Sequence, residues 1–85
     1  MSRSVKIKQL AAKLRAVRKR LGLSQAQLAL RITSFEIKYG RISDYELGKR
    51  TPNLLVLLDY SRLAGVHVDD LIDDSVSLFE KGGVR

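Results

Sequence analysis

The chain has no cysteine, no tryptophan and only one proline among its 85 residues. Without thiols it forms neither a disulfide nor a thiolate metal centre, and a reducing cytoplasm suits it better than an oxidising compartment. Histidine occurs once, at His67. A metal site needs more nitrogen or sulfur ligands than that, and a catalytic dyad needs a nucleophile or converging carboxylate in a cleft. No enzyme, metal or cofactor is therefore expected. The acidic pairs Asp69-Asp70 and Asp73-Asp74 lack the ligand spacing and turn glycine of a calcium loop. Long apolar runs are also missing, and Met1-Ser2-Arg3-Ser4 is not followed by a signal-peptide core, so no membrane span or leader is expected.

What is present is 45% hydrophobic and 29% charged, the balance of a chain that folds, and its length suits one domain. The net charge of +7 is unevenly placed. Residues 1–50 hold 13 of the 16 lysines and arginines against Glu36, Asp44 and Glu46, a net +10, whereas residues 51–85 hold three bases against six acids, a net −3. Such polarity is either chance asymmetry of a solvated surface or a basic half turned toward a polyanion. A membrane-surface role for the basic residues is disfavoured, since the apolar stripe beside them is needed for a core and tryptophan is absent.

The expected fold class is all-α. Ile7, Leu10, Leu14, Val17 and Leu21 recur at three- and four-residue steps and predict a first helix, with Lys8, Lys13, Arg15, Arg18, Lys19 and Arg20 on its other positions and Gly22 as its stop. Ser24 is the N-cap candidate of a short second helix carrying Leu28, Ala29 and Ile32. Thr33 and Glu36 have capping-box spacing, yet periodicity weakens over 33–38. A third helix is expected from about Lys38 to Leu47, closed by Gly48, with Ile42, Tyr45 and Glu46 on one face. Thr51-Pro52 reads as an N-cap with proline at the first helical position of a fourth helix, largely buried through Leu54, Leu55, Leu57, Leu58 and Leu63 and ended by Gly65. Val66, Val68, Leu71 and Ile72 predict a short fifth helix with Asp69 and Asp70 in its first turn and His67 as a local cap or surface residue. Ser75 to Phe79 reads as a short extension or strand, and Lys81 to Arg85 as a frayed tail. The resulting division is a basic arm over 1–6, a helical domain over 7–74, and an extension over 75–85 that is either partly disordered or dimerising.

Three segments, LGLSQAQLALRI at 21–32, GRISDYELGKRTPN at 40–53 and LLDYSRLAGVHVDDLI at 57–72, resemble the Cro/repressor-type (XRE-like) helix-turn-helix family. The resemblance implies a compact five-helix, lambda-repressor-like DNA-binding domain whose second and third helices form the motif. It further implies that the second helix crosses the DNA backbone while the third lies in the major groove. Gln25 matches the family glutamine that meets a phosphate, and Arg18 with Glu46 matches a pair tying the first helix to the third. Two departures stand out. From Ile32 to Glu46 the chain is about three residues longer than the family pattern, so that either the second helix is extended or the turn is a larger loop. The recognition helix opens on Tyr39-Gly40-Arg41, where glutamine, serine or threonine is common, so the base preference does not carry over.

With Ile42 inward, Gly40, Asp44 and Leu47 fall opposite it, flanked by Arg41 and Ser43. Tyr39, Gly40, Arg41, Ser43 and Asp44 are the candidate base readers, with Asp44 either accepting from a cytosine amino group or orienting Arg41. Against this stands a solvated Arg41–Asp44 surface pair. Tyr39 either stacks on a sugar or packs under its helix, while Tyr45 and Tyr60 are expected in the core with satisfied hydroxyls. Ser24, Gln25, Lys38, Lys49 and Arg50 are the phosphate candidates. The expected function is a duplex-DNA-binding transcriptional regulator, a repressor acting as a symmetric dimer, with Val76, Leu78 and Phe79 as the contact between copies. The alternative is an antitoxin-like or adaptor protein that binds a partner protein through its acidic C-terminal part. Structured RNA is a weaker third option, because side chains do not enter the narrow major groove of its A-form helix.

Overall fold

Glycine at the helix ends sets the outline of the chain. In the computed structural model, which describes residues 9–76 and Leu78, five helices follow one another: α1 (Leu10–Leu21), α2 (Gln25–Arg31), α3 (Tyr39–Glu46), α4 (Leu54–Ala64) and α5 (Val68–Ile72). No strand occurs among these residues. After α3, Gly48 adopts φ +76°, its N–H donates to the Tyr45 carbonyl, and the Lys49 N–H donates to that of Asp44. That double closure satisfies carbonyls the helix leaves open and needs a left-handed residue, which glycine adopts without steric cost. Gly22 ends α1 in the same way, with its N–H on Lys19 O and that of Leu23 on Arg18 O.

Every helix contributes to one apolar core. Leu14, Val17, Leu28, Ile42, Val56, Tyr60 and Leu71 are fully buried, and each aliphatic among them contributes about 1.5–3 kcal/mol of transfer free energy. α2 packs mainly on α3, and α1 packs on α3 while also touching α4 and α5.

Several local expectations change in the folded chain. α1 begins at Leu10 among the described residues, and Ile7 and the arm over 1–6 lie outside them. Lys13, placed with the outward bases in the sequence, is buried: its Nζ donates to the carbonyls of Asp70 (2.7 Å) and Asp73 (2.6 Å), closing the C-terminal end of α5 from α1. The long flexible stem reaches across and the ammonium donates to both carbonyls, that of Asp73 also accepting from Val76 N (3.1 Å). α4 is capped not by Thr51 but by Asn53, whose side chain accepts from Val56 N (3.0 Å), so Pro52 precedes the helix instead of opening it. With that start Val56, Leu57 and Tyr60 face inward, and Leu54 and Leu55 remain 67% and 49% exposed. The Tyr60 hydroxyl is buried without a hydrogen-bond partner among the described residues, and burial pushes its pKa well above the ordinary value.

The inserted segment is a loop, not an extension of α2. Ile32 ends α2 in an extended conformation and the chain stays non-helical through Lys38, so Thr33 and Glu36 form no capping box. Instead the Asp59 carboxylate of α4 accepts from Thr33 N (3.1 Å) and Ser34 N (2.9 Å). Burial alone would raise the Asp59 pKa, but these bonds and the nearby Arg62 outweigh it and hold the carboxyl below its usual range. At the other end of the chain, Asp73 accepts from Ser75, and Leu78 is half-buried on the core. Of the residues expected to form the contact between copies, Leu78 packs in part on its own chain's core and Phe79 lies outside the described residues.

Candidate nucleic-acid interface

Ser24 starts α2 with a reciprocal cap. Its Oγ accepts from Gln27 N (3.0 Å) while the Gln27 side chain accepts from Ser24 N (2.8 Å). Ser-x-x-Gln at 24–27 is a capping-box spacing, so Gln27 was visible in the sequence although only Ser24 is singled out there. Between α1, α2 and α3 lies a charged hub. Arg18 donates through Nε (2.6 Å) and Nη2 (3.0 Å) to the two oxygens of Glu46 and through Nη1 to Leu23 O (3.0 Å). The hydrogen bond to Glu46 raises the Arg18 pKa against the opposing pull of burial. Gln25 Nε2 joins at 3.3 Å from Glu46 Oε1. The side chain expected to meet a phosphate thus points into the hub.

α3 divides cleanly between inside and outside. Ile42 and Tyr45 are buried, Tyr39, Gly40, Arg41 and Leu47 are exposed, and Ser43 and Asp44 are half-buried. Tyr39 stands 64% exposed, so it does not pack under its helix. Lys38 sits at the N-cap without a side-chain cap bond, and with Glu36, Ile37 and Arg41 it lines a shallow recess at the start of α3. Arg41 and Asp44 form no pair. The Asp44 partner is Arg50, whose Nε lies 3.3 Å from Oδ2, and the Lys49 and Arg50 N–H groups both bond Asp44 O. Lys49 and Arg50 are themselves exposed.

The folded arrangement therefore combines a helix fastened by its inner face, an outward row of polar and cationic side chains, and a tightly closed turn bearing two cations. Among the described residues no group of histidines and acids is placed to hold a metal ion, and no helix is long and apolar enough to cross a membrane. A family model described as helix-turn-helix matches residues 14–71, from the middle of α1 to the core leucine of α5. No curated protein matches the chain.

Proposed function

The chain belongs to the Cro/repressor-type helix-turn-helix family, a family of DNA-binding regulators and not of enzymes, and from that premise we propose that it represses transcription by setting α3 into the major groove of duplex DNA. The observation that carries this reading is the division of α3: Ile42 and Tyr45 anchor it while Tyr39, Gly40 and Arg41 stand outward. Arg41 is the principal reader, because its forked donors match guanine O6 and N7. Tyr39, Ser43 and Asp44 complete the reading row. Lys38, Lys49, Arg50 and the start of α2 at Ser24 and Gln25 supply phosphate contacts, which position the domain without reading sequence. Occupying a promoter blocks it sterically, so repression is the proposed sign, with two copies on a pseudo-palindrome about one helical turn apart. The setting is the cytoplasm. A protein partner for the acidic C-terminal part is less well supported, since Asp59, Asp73 and Asp74 bond Thr33 and Ser34, Ser75 and Gln9 N.

Selection of sites from random duplexes tests the proposal. Wild type should return a preferred motif, and Arg41→Ala should lose one base-pair preference at a cost of about 1–3 kcal/mol on that motif. An unchanged motif for the variant would exclude Arg41 as a reader.

A further inference from the structure

We propose that Asp44 is a built-in competitor for phosphate, holding Arg50 so that Arg50 contacts the DNA backbone only where the base sequence gives Asp44 another donor. The inference rests on α3 being the DNA-reading helix. Its basis is the way the turn after α3 is tied. The Lys49 and Arg50 N–H groups both donate to the carbonyl of Asp44, and Arg50 Nε donates to the carboxylate of the same residue at 3.3 Å. Backbone bonds thus bring the stem of Arg50 to the residue that takes its guanidinium, which lowers the entropy lost in forming the pair. Both partners remain accessible, at 57% and 33% for Arg50 and Asp44 side chains, so the pair can exchange partners.

A carboxylate and a phosphate oxygen are both acceptors, and they compete for one guanidinium. On an arbitrary duplex, moving Arg50 to a phosphate strips Asp44 of its counterion beside a polyanion. Where a cytosine amino group faces Asp44, the carboxylate gains a donor and Arg50 is released to the backbone. A contact that carries no sequence information in itself becomes conditional on sequence, and discrimination comes from penalising the wrong partner.

A double-mutant cycle on the full chain tests this, using Asp44→Asn, Arg50→Ala and the double variant with a random-sequence duplex between about 50 and about 200 mM salt. Asp44→Asn should tighten non-specific binding roughly five- to tenfold near 0.1 M salt and steepen the log K against log salt slope by about one unit, the gain of one phosphate contact. In the Arg50→Ala background the same substitution should leave the slope unchanged. If Asp44→Asn tightens binding equally with and without Arg50, the carboxylate acts by its own repulsion and the competitor role is overturned. If Asp44→Asn leaves affinity and slope at the wild-type values, it is overturned as well. Absence of binding by wild type and every variant at the lowest salt would instead remove the DNA-reading premise, and this inference with it.

Discussion

Helix α3 carries two carboxylates two residues apart, each paired with an arginine, and the two pairs are different devices. Glu46 faces inward, its side chain 4% exposed, and takes Arg18 through two bonds and Gln25 through a third. Asp44 faces outward and takes Arg50 through one bond of 3.3 Å. Away from water the inner charges attract strongly and are costly to separate, so the hub fixes how α1, α2 and α3 meet. In water the outer attraction is screened and close to balanced by hydration, so that pair is exchangeable. Three bonds to a buried acid make a fastening, and a single bond to a half-buried, solvent-accessible one makes a contact that a ligand can replace.

The largest expected effect separates the two pairs by stability. Arg18→Met leaves Glu46 buried with one side-chain donor and should cost about 3–5 kcal/mol in urea denaturation, most of it recovered when Glu46→Leu is added. A loss no greater than that of an ordinary surface substitution would erase the distinction.

A smaller effect is expected at Asp59, an acid on α4 that bonds backbone instead of an arginine. Asp59→Ala leaves the Thr33 and Ser34 N–H groups without their acceptor and should cost about 1–3 kcal/mol, with faster amide exchange at those two residues. Because its folded pKa lies below the unfolded value near 3.8, its contribution is complete above that value and is lost as pH falls through the lower folded pKa. Acid titration of stability should show this loss in wild type and not in Asp59→Asn.

The smallest effect sharpens the comparison from its outer side. Asp44→Asn and Arg50→Ala should each change stability by no more than about 1 kcal/mol, with a coupling between them of that same small size in the unbound protein. A coupling comparable to that of Arg18 and Glu46 would make the outer pair structural.

Much of this was legible residue by residue. The stripe Leu10, Leu14, Val17 and Leu21 is a helix because apolar spacing near 3.6 is a local property, and Gly22, Gly48 and Gly65 stop helices because positive φ is nearly theirs alone. Ser24 caps α2 as expected, for the same local reason. Local logic failed where two signals competed. Thr51-Pro52 is the start expected from the sequence, Asn53 is a capping residue type as well, and packing chose Asn53, the start with which Val56, Leu57 and Tyr60 are buried. Within the candidate interface, the outward placement of Gly40 and Arg41 follows from the helical period once Ile42 is set inward, whereas that of Tyr39, three residues before Ile42, does not. The partner of Asp44 does not follow from it, because Arg50 returns through a turn whose closure depends on Gly48.

By itself the sequence determined that the chain is helical, where most helices stop, and which half is basic, since propensity, capping and charge act over a few neighbouring bonds. Tertiary structure alone decided which charges are fastened and which stay exchangeable. Lys13 reaches the carbonyls of Asp70 and Asp73, Asp59 the amides of Thr33 and Ser34, and Gln25 the carboxylate of Glu46. Each joins residues more than twenty positions apart, and a polar group's partner is set by burial and approach in three dimensions, which no local pattern encodes.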